Sequence, residues 1–196
     1  MSRAAEVNRT TGETDVRVSV DLDGAGQATL ATGVGFFDHM LDLLARHALL
    51  DLTVQATGDL ETGSHHTVED VGITLGQAID RALGDRSGIE RYGSALVPMD
   101  ECLVQAAVDL SGRPYLACDV PLPAGVIGGF ETELLPEFLR ALSNHLGATL
   151  HVRLLAGGDN GHHVIEACFK GVARALRQAL AINPRVTGVP STKGSL

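Results

Sequence analysis

Tryptophan is absent from this 196-residue chain, and phenylalanine and tyrosine together supply only 4% of its residues. Cysteine is scarce too. Cys102, Cys118 and Cys168 stand far apart, so the sequence offers neither a disulfide framework nor a CxxC metal motif. Hydrophobic residues nevertheless make up 44% of the chain, which is ample for a packed interior. Unpaired thiols are typical of a reducing compartment, and the sequence therefore predicts a cytoplasmic protein.

Positive charge is in short supply as well. The chain has 15 Lys and Arg residues against 24 Asp and Glu residues, a formal net charge of −9. This balance argues against non-specific binding to nucleic acid or anionic membranes, although a local basic pocket could still hold a small anion. No apolar run approaches the roughly 20 residues that span a bilayer, and residues 1–14 lack the apolar core of a signal peptide. We expect neither nucleic acid nor a membrane as a partner.

What the sequence does contain is an internal repeat. Residues 18–26 (VSVDLDGAG) resemble residues 106–114 (AAVDLSGRP), and each segment is typical of a strand, a glycine turn and a second strand. An amphipathic helix follows in both copies, over residues 36–47 and 134–145. The two copies therefore predict the same series of elements.

Each predicted helix leads into a strand, and a Gly/Asp loop then precedes a second helix. The sequence thus predicts an α+β fold made of an internally duplicated ββαβα-type unit, with each half a sheet covered on one face by helices. We expect the first repeat half over residues 1–92 and the second over 93–183, both in one compact structural unit. Residues 184–196, rich in Pro, Gly and Ser, predict an irregular C-terminal tail.

Two histidine pairs are the strongest chemical signal in the repeat. Each half has two adjacent histidines followed by a glutamate within one helical turn: His65, His66 and Glu69, then His162, His163 and Glu166. On a helix either histidine of a pair can share a face with the glutamate, while the two rings diverge. Diverging rings suit two metal ions better than one. Imidazole and carboxylate without thiolate suit Mn, Fe, Co, Ni or Zn, and octahedral Mn²⁺ or Fe²⁺ tolerates the mixture well.

The other histidines give weaker signals. His39 lies on the first predicted helix and is a further candidate ligand, and its repeat counterpart is Glu137, which can also bind a divalent metal. His47 and His145 correspond across the repeat, but helix C-termini favour histidine through the helix dipole, so their role stays open. His151 stands alone on a strand and is typical of an ordinary surface residue.

Together these motifs resemble those of the imidazoleglycerol-phosphate dehydratase family, which acts in histidine biosynthesis. The resemblance covers nearly the whole chain through RTTGET (9–14), GFFDHML (35–41), HHTVEDVGI (65–73), PMDE (98–101), VDLSGRPYL (108–116), LHVR (150–153), HHVIEACFKGVARALRQA (162–179) and PSTKG (190–194). It implies a duplicated α+β fold, a small-molecule phosphate substrate and two Mn²⁺ ions per active site, other divalent metals being possible. It also implies a homo-oligomer of 24 subunits that is bridged by the metals.

The resemblance further implies which residues form the site. The implied metal ligands are His39, His65, His66, Glu69, His162, His163 and Glu166. The family often has histidine where this chain has Glu137, so either Glu137 coordinates or water takes its place. Ser64 stands where many relatives are expected to have aspartate, which would change the groups around the ligands.

The same resemblance assigns the groups that handle protons and phosphate. Glu13 matches the family's proposed proton shuttle, although its repeat counterpart Glu101 shows that the position alone does not imply chemistry. Arg91 and Arg113 match the family's phosphate ligands, and arginine can bind phosphate through two hydrogen bonds. Further phosphate candidates are Lys170, Ser191 and Lys193.

The implied reaction removes water from D-erythro-imidazoleglycerol phosphate to give imidazoleacetol phosphate in L-histidine biosynthesis. Because the carbon-bound hydrogen is not acidic, the substrate's imidazole has to accept electrons, through a metal-stabilised imidazolate and a diazafulvene-like intermediate. Two alternatives stay open. A binuclear metallohydrolase is disfavoured because the chain has no aspartate cluster, and a metal store or metal-scaffolded shell would need neither an arginine pair nor an acid–base group.

Overall fold

The structure, a computed structural model, describes residues 3–194 and 196. Its first half contains four strands and two long helices, with a short 3₁₀ turn at Leu60–Thr62. In chain order these elements are β1 (Ala4–Thr10), β2 (Thr14–Asp21), β3 (Ala28–Ala31), α1 (Gly35–Ala48), β4 (Asp51–Gly58) and α2 (His65–Leu83). The first histidine pair therefore opens α2.

The second half repeats this order and adds a small hairpin. Its elements are β5 (Tyr92–Met99), β6 (Cys102–Asp109), β7 (Tyr115–Asp119), β8 (Val126–Ile127), β9 (Phe130–Glu131), α3 (Leu134–Leu146), β10 (Thr149–Ala156) and α4 (Gly161–Leu180). Residues 184–194 contain neither helix nor strand. The predicted limits of the two halves, at residues 92 and 93, stay a prediction, as does the cytoplasmic location.

Each half forms one four-stranded sheet, and the two sheets have the same strand order. The first sheet has the order β1-β2-β4-β3 and the second β5-β6-β10-β7. In each, the last pair is parallel and the other pairs are antiparallel. Side-chain alternation decides which face is covered, since Val16 and Val18 are fully buried whereas Arg17 between them is exposed.

Helices cover one face of each sheet and also join the two halves. α2 packs on β1 and β2, and α4 packs on β5 and β6, while α2 contacts α3 and α1 contacts α4 across the halves. Four phenylalanines link these elements in a chain of ring contacts with centroids 5.1–5.8 Å apart: Phe130, Phe37, Phe138 and Phe169. One apolar core therefore runs through both halves.

The predicted α+β class and its duplication are confirmed, and the structure adds one strand to each four-stranded sheet, besides the β8–β9 hairpin of the second half. The added strands are β1 and β5, which lie at the sheet edges. β1 buries only Val7, and β5 only Gly93 and Val97, so neither shows the apolar alternation that predicts a strand. No helix in the described part of the chain is long and apolar enough to cross a membrane.

Candidate active site

The second histidine pair lies at the start of α4, where a loop side chain caps the helix. Asn160 Oδ1 accepts a hydrogen bond of 3.1 Å from the backbone N–H of His162. This cap fixes the first turn, so that His162 and Glu166 lie one turn apart on the same face. Their side chains meet, with 3.1 Å between His162 Nε2 and Glu166 Oε2.

Helix α1 adds a third group to this place. His39 Nε2 lies 3.6 Å from Glu166 Oε2, and the ligand atoms of His39, His162 and Glu166 all lie within 4.8 Å of one another. We call these three residues and Lys170 the α4 cluster. Two ligands at right angles, each about 2.1 Å from an ion, are about 3 Å apart. The spacing of the three side chains therefore fits a divalent metal.

Glu166 is the buried member of the α4 cluster, with 7% of the residue exposed. Lys170 Nζ lies 2.6 Å from Glu166 Oε1, one turn further along the helix. Burial raises the pKa of Glu166, but the hydrogen bond and charge of Lys170 and the hydrogen bond of His162 outweigh it and hold the pKa below its ordinary value. The carboxyl group is therefore ionised at neutral pH, which is the form that binds a metal.

The corresponding place on α2 is more open. His65 Nε2 lies 3.7 Å from Glu69 Oε2, and the two side chains are 54% and 47% exposed. We call these two residues the α2 pair. Both carboxylate oxygens of Glu137, the counterpart of His39, accept hydrogen bonds of 2.7 Å from Arg140 Nη1. Among the described residues, the groups spaced closely enough to hold an ion include neither the α2 pair nor Glu137.

Ser64, which precedes the first pair, is buried at the start of α2. Its Oγ donates a hydrogen bond of 2.5 Å to Glu131 Oε2 on β9. Glu131 of the second half thus places a carboxylate beside Ser64, the position at which relatives are expected to have aspartate. A side chain from a distant element takes part in shaping the start of α2.

The two histidines of each pair face different surroundings. The rings of His65 and His66 are inclined at 86°, and those of His162 and His163 at 89°. Adjacent residues on a helix are about 100° apart around its axis, so the two side chains leave the helix in different directions. Each pair therefore offers its nitrogen atoms to two separate places.

His66 contacts two carboxylates from loops of the first half. Its Nδ1 donates to Asp59 Oδ2 at 3.0 Å and lies 3.8 Å from Glu13 Oε2. The hydrogen bond with Asp59 raises the pKa of His66 and lowers the pKa of Asp59. The side chain of Glu13 is 58% exposed. Its carboxylate is consequently open to a bound molecule.

His163 has the corresponding position in the second half but a different partner. Its Nδ1 donates to Glu101 Oε2 at 2.9 Å, and its Nε2 lies 3.8 Å from Asp100 Oδ2. The hydrogen bond with Glu101 raises the pKa of His163 and lowers that of Glu101. The histidine is thus held by the counterpart of Glu13 rather than by a loop aspartate. The two repeats use corresponding glutamates in different ways.

The two arginines predicted to bind phosphate converge on one aspartate. Arg91 donates from Nε and Nη2 to the two oxygens of Asp109, at 2.7 and 3.2 Å. Arg113 Nη2 lies 3.6 Å from the same aspartate, and the side chain of Arg113 is 66% exposed. The hydrogen bonds with Asp109 also raise the pKa of Arg91. Asp109 therefore orients two guanidinium groups that could share an anion.

The tail reaches Arg91, whereas Lys170 lies in the α4 cluster. Arg91 Nη1 donates a hydrogen bond of 2.9 Å to the carbonyl oxygen of Pro190. Ser191 follows directly, and its Oγ accepts a hydrogen bond of 3.1 Å from the backbone N–H of Lys193. The structure thus brings the PSTKG segment to Arg91, while Lys170 belongs to the α4 cluster.

Three histidines remain: His47, His145 and His151. Among the described residues, the groups spaced closely enough to hold an ion do not include them. Burial, followed by the charges of Lys170, Arg174 and Arg46, lowers the pKa of His47. His145 Nδ1 lies 3.0 Å from the carbonyl oxygen of Ala141 in its own helix. The ring of His151 lies beside that of Tyr115, with centroids 6.0 Å apart.

Sequence reasoning misses three carboxylates that contact the predicted residues: Asp59, Asp100 and Asp109. Asp59 and Asp100 stand in loops, where periodicity gives no signal. Asp109 ends β6 and has a counterpart, Asp21, at the end of β2, which is the one clue that the repeat provides. A loop carboxylate has no fixed spacing from a helical ligand, so the contacts appear only in the folded chain.

Comparison with known proteins is consistent with this fold. The sequence profile of the imidazoleglycerol-phosphate dehydratase family matches residues 32–176. An imidazoleglycerol-phosphate dehydratase from Desulforamulus reducens is 60% identical over 196 residues, which is 100% of this chain and of that protein. The crystal structure of the Staphylococcus aureus imidazoleglycerol-phosphate dehydratase has a TM-score of 0.83 at 40% identity and covers 92% of this chain and 99% of its own. The crystal structure of IGPD from Pyrococcus furiosus in complex with (S)-C348 has a TM-score of 0.84 at 40% identity. The match covers 97% of this chain and 100% of the Pyrococcus furiosus chain.

The fold and these matches place the chain among the hydro-lyases, the enzymes that remove water from their substrates. Within that class it belongs to the imidazoleglycerol-phosphate dehydratase family. Its function is the step of histidine biosynthesis for which the family is named. The resemblance predicted from the motifs is thereby confirmed.

Proposed function

We propose that the chain dehydrates D-erythro-imidazoleglycerol phosphate to imidazoleacetol phosphate with two divalent metal ions, Mn²⁺, at each active site. The observation that carries the proposal is the α4 cluster, in which two imidazole nitrogens and a buried carboxylate lie within 4.8 Å. Nitrogen and oxygen donors without sulfur suit Mn²⁺. Lys170 pairs with Oε1 of Glu166, whereas Oε2 faces His39 and His162 and is the oxygen placed for an ion.

The α4 cluster would supply His39, His162 and Glu166 to one ion. The remaining proposed ligands are His65, His66, Glu69 and His163. Glu137 is a doubtful ligand, because Arg140 already bonds both of its oxygens. A metal ion could bind Glu137 only by displacing this ion pair. Otherwise a water molecule would occupy the ligand position.

When bound, the metal ions would hold the substrate's imidazole ring and favour its deprotonated form, whose electrons would help to expel the hydroxyl group of the adjacent carbon. The side chains of the protein have other tasks. They anchor the phosphate, orient the carbon chain between the anchor and the ring, and move protons. The arginines and Glu13 are the residues proposed for these tasks.

Glu13 is the proposed acid–base group. The dehydration takes one proton from carbon and delivers one to the departing hydroxyl, so a single carboxyl group that alternates between its two forms can serve both steps. Asp59, not Glu13, accepts the hydrogen bond of His66 at 3.0 Å. Glu13 therefore stays near the proposed ligand, 3.8 Å from His66 Nδ1, while its exposed carboxylate is left to reach the substrate.

Arg91 and Arg113 are proposed to bind the phosphate. In a chain of net charge −9 the cations that hold an anion have to be local. Both guanidinium groups lie beside Asp109, at 2.7 and 3.6 Å, which restricts their positions before the phosphate arrives. Ser191 and Lys193 of the tail are further candidates. Lys170 pairs with Glu166 in the α4 cluster, and its role as a phosphate ligand stays a prediction.

We also propose that the metals bridge subunits in a homo-oligomer of 24 chains. The α2 pair supports this idea, since both of its side chains are about half exposed and the described residues supply no third ligand within ion-binding distance. A neighbouring subunit could complete such a site. Metal binding would then contribute free energy to assembly as well as to catalysis.

The experiment supplies imidazoleglycerol phosphate to the Mn²⁺-loaded protein and identifies the product by mass spectrometry. We expect the ketone and no inorganic phosphate. Chelation should abolish turnover and shrink the assembly, and Mn²⁺ should restore both. Released phosphate would instead indicate a metallohydrolase, and bound metal without turnover a metal store. Turnover that survives complete removal of metal would refute the metal-dependent proposal.

Glu13→Gln tests the acid–base role separately. Glutamine keeps nearly the same shape but cannot ionise, so kcat should fall by roughly 10²–10⁴-fold, the range for a positioned acid–base group. Metal content, assembly and substrate binding should stay close to those of the parent. A near-normal kcat would assign the proton transfer to another group.

A further inference from the structure

A set of hydrogen-bonded polar side chains adjoins the turn that carries Glu13. Asp70 of α2 is only 6% exposed, and Thr14 at the start of β2 is 4% exposed. One oxygen of Asp70 accepts a hydrogen bond from Thr14 Oγ1, and the other accepts one of 2.9 Å from Arg9 Nε. We call Arg9, Thr14 and Asp70 the polar clamp. None of the three is a proposed metal ligand, phosphate ligand or proton shuttle.

The polar clamp reaches the backbone of Glu13 through Thr11. Thr11 Oγ1 lies 3.2 Å from Thr14 Oγ1, and it accepts hydrogen bonds from the backbone N–H groups of Glu13 at 3.1 Å and Thr14 at 3.0 Å. Because Thr14 Oγ1 donates to Asp70, the Thr11 hydroxyl is the donor between the two threonines. A continuous series of hydrogen bonds thus joins Asp70 on α2 to the residue proposed to move protons.

The internal repeat shows that the fold does not require such a clamp. The counterparts of Arg9, Thr14 and Asp70 in the second half are three buried residues without an ionic group: Val97, Cys102 and Ala167. They lie behind the corresponding turn, which carries Glu101. Replacing a buried ionic group with apolar residues is often neutral or favourable for stability, so stability alone does not account for the polar version. The two halves differ where one glutamate is proposed to be catalytic and the other holds a histidine.

We propose that Asp70 is a positioning residue, which through Thr14 and Thr11 fixes the turn of Glu13 relative to the helix that carries the first histidine pair. This inference rests on the proposed acid–base role of Glu13. Asp70 follows Glu69 directly on α2, so movement of the turn away from Asp70 would also move Glu13 relative to the proposed ligands. Proton transfer requires heavy atoms within about 3 Å, and a misplacement of about 1 Å can lower a rate about 100-fold.

Thr14→Val is the sharpest test, because it keeps the size of the side chain and removes the hydroxyl that joins Asp70 to the turn. We expect kcat to fall about 10-fold or more, with KM, metal content and assembly close to the parent. Thr14→Ser restores the hydroxyl and should recover most of kcat. Asp70→Ala is less informative, since it leaves two donors without an acceptor and endangers folding.

Thr74→Val is the matched control. Thr74 is fully buried on the same helix, and its Oγ1 donates a hydrogen bond of 2.7 Å to the backbone carbonyl of Asp70. The substitution therefore removes a buried hydroxyl hydrogen bond on the same helix without touching the turn of Glu13. Because Thr14 bonds a charged carboxylate and Thr74 a neutral carbonyl, Thr74→Val should lose no more thermal stability than Thr14→Val. We expect a kcat within about twofold of the parent for Thr74→Val alone.

A cycle with Glu13→Gln separates this inference from the proposed function. If Glu13→Gln keeps the parental kcat, the acid–base assignment fails and the inference falls with it. If Glu13→Gln is slow but Thr14→Val is as fast as Thr74→Val, the positioning role alone is wrong. We expect the double variant to be no slower than Glu13→Gln. Losses that multiply would mean that Thr14 acts on another group, which would also overturn the inference.

Discussion

Replacement of Glu166 by glutamine should destabilise the metal-free chain much more than the corresponding change in the first half. Glu166 Oε1 lies 2.6 Å from Lys170 Nζ, and the two side chains are 9% and 19% exposed. Glutamine keeps the shape but not the charge, so Lys170 stays largely buried without a counterion. A hydrogen bond to a charged group contributes about 1.5–3 kcal/mol. We expect the free energy of unfolding to fall by about 2 kcal/mol.

Glu69→Gln provides the matched control within the same chain. Glu69 is the repeat counterpart of Glu166, but its side chain is 47% exposed and lies 3.7 Å from His65. Exposed ion pairs contribute about 0–1 kcal/mol, so we expect a loss below about 0.5 kcal/mol. In a chain of this size 1 kcal/mol shifts Tm by about 2–4 °C. Glu166→Gln should therefore unfold about 4–8 °C below the parent, and Glu69→Gln within about 2 °C of it.

Thermal unfolding after chelation, followed by circular dichroism at equal protein concentrations, measures this difference. Metal titration of both variants then tests ligation, because each substitution removes a proposed carboxylate ligand. The affinity should fall by more than the roughly 10–100-fold typical of groups that only support a ligand. Equal melting temperatures for the two metal-free variants would refute the burial argument. Unchanged metal binding in Glu166→Gln would remove Glu166 from the ligand set.

Two further predictions concern pH and the phosphate site. The pKa of Glu166 lies below its ordinary value in the folded chain, so the stability it contributes is present above the unfolded-state pKa of about 4.3 and is lost as the pH falls through the folded-state pKa. Acidification should thus reduce the difference in Tm between the metal-free parent and Glu166→Gln. A difference in Tm that grows as the pH falls would contradict this expectation. Arg113→Ala should raise KM about 10-fold or more and change kcat little, because the exposed guanidinium is proposed to bind phosphate rather than the reacting carbons. Steady-state kinetics checks this against Arg153→Ala, because Arg153 is similarly exposed and pairs with Asp119 at 3.1 Å. This control variant should leave both constants unchanged.

The sequence by itself determined the duplication, the α+β class and the family, because each depends on patterns that are local in the chain. Apolar periodicity identifies the helices, and alternation identifies the central strands such as β2. The histidine pairs stand out because their spacing to a glutamate is one helical turn. The edge strands β1 and β5 escape prediction, since a strand that buries one or two residues has little alternation to detect.

Only the tertiary structure decided which groups the histidines meet. His39 reaches Glu166 because α1 packs on α4, whereas Glu137, its counterpart in the repeat, bonds Arg140 instead. The repeat suggests that Glu13 and Glu101 are equivalent, yet a loop aspartate binds His66 and leaves Glu13 free. Contacts between side chains on different elements depend on how the helices and loops pack around the shared core. No spacing within a single element contains that information. The spacing therefore predicts contacts within one helix, such as that of His162 with Glu166, but not those between residues on different elements.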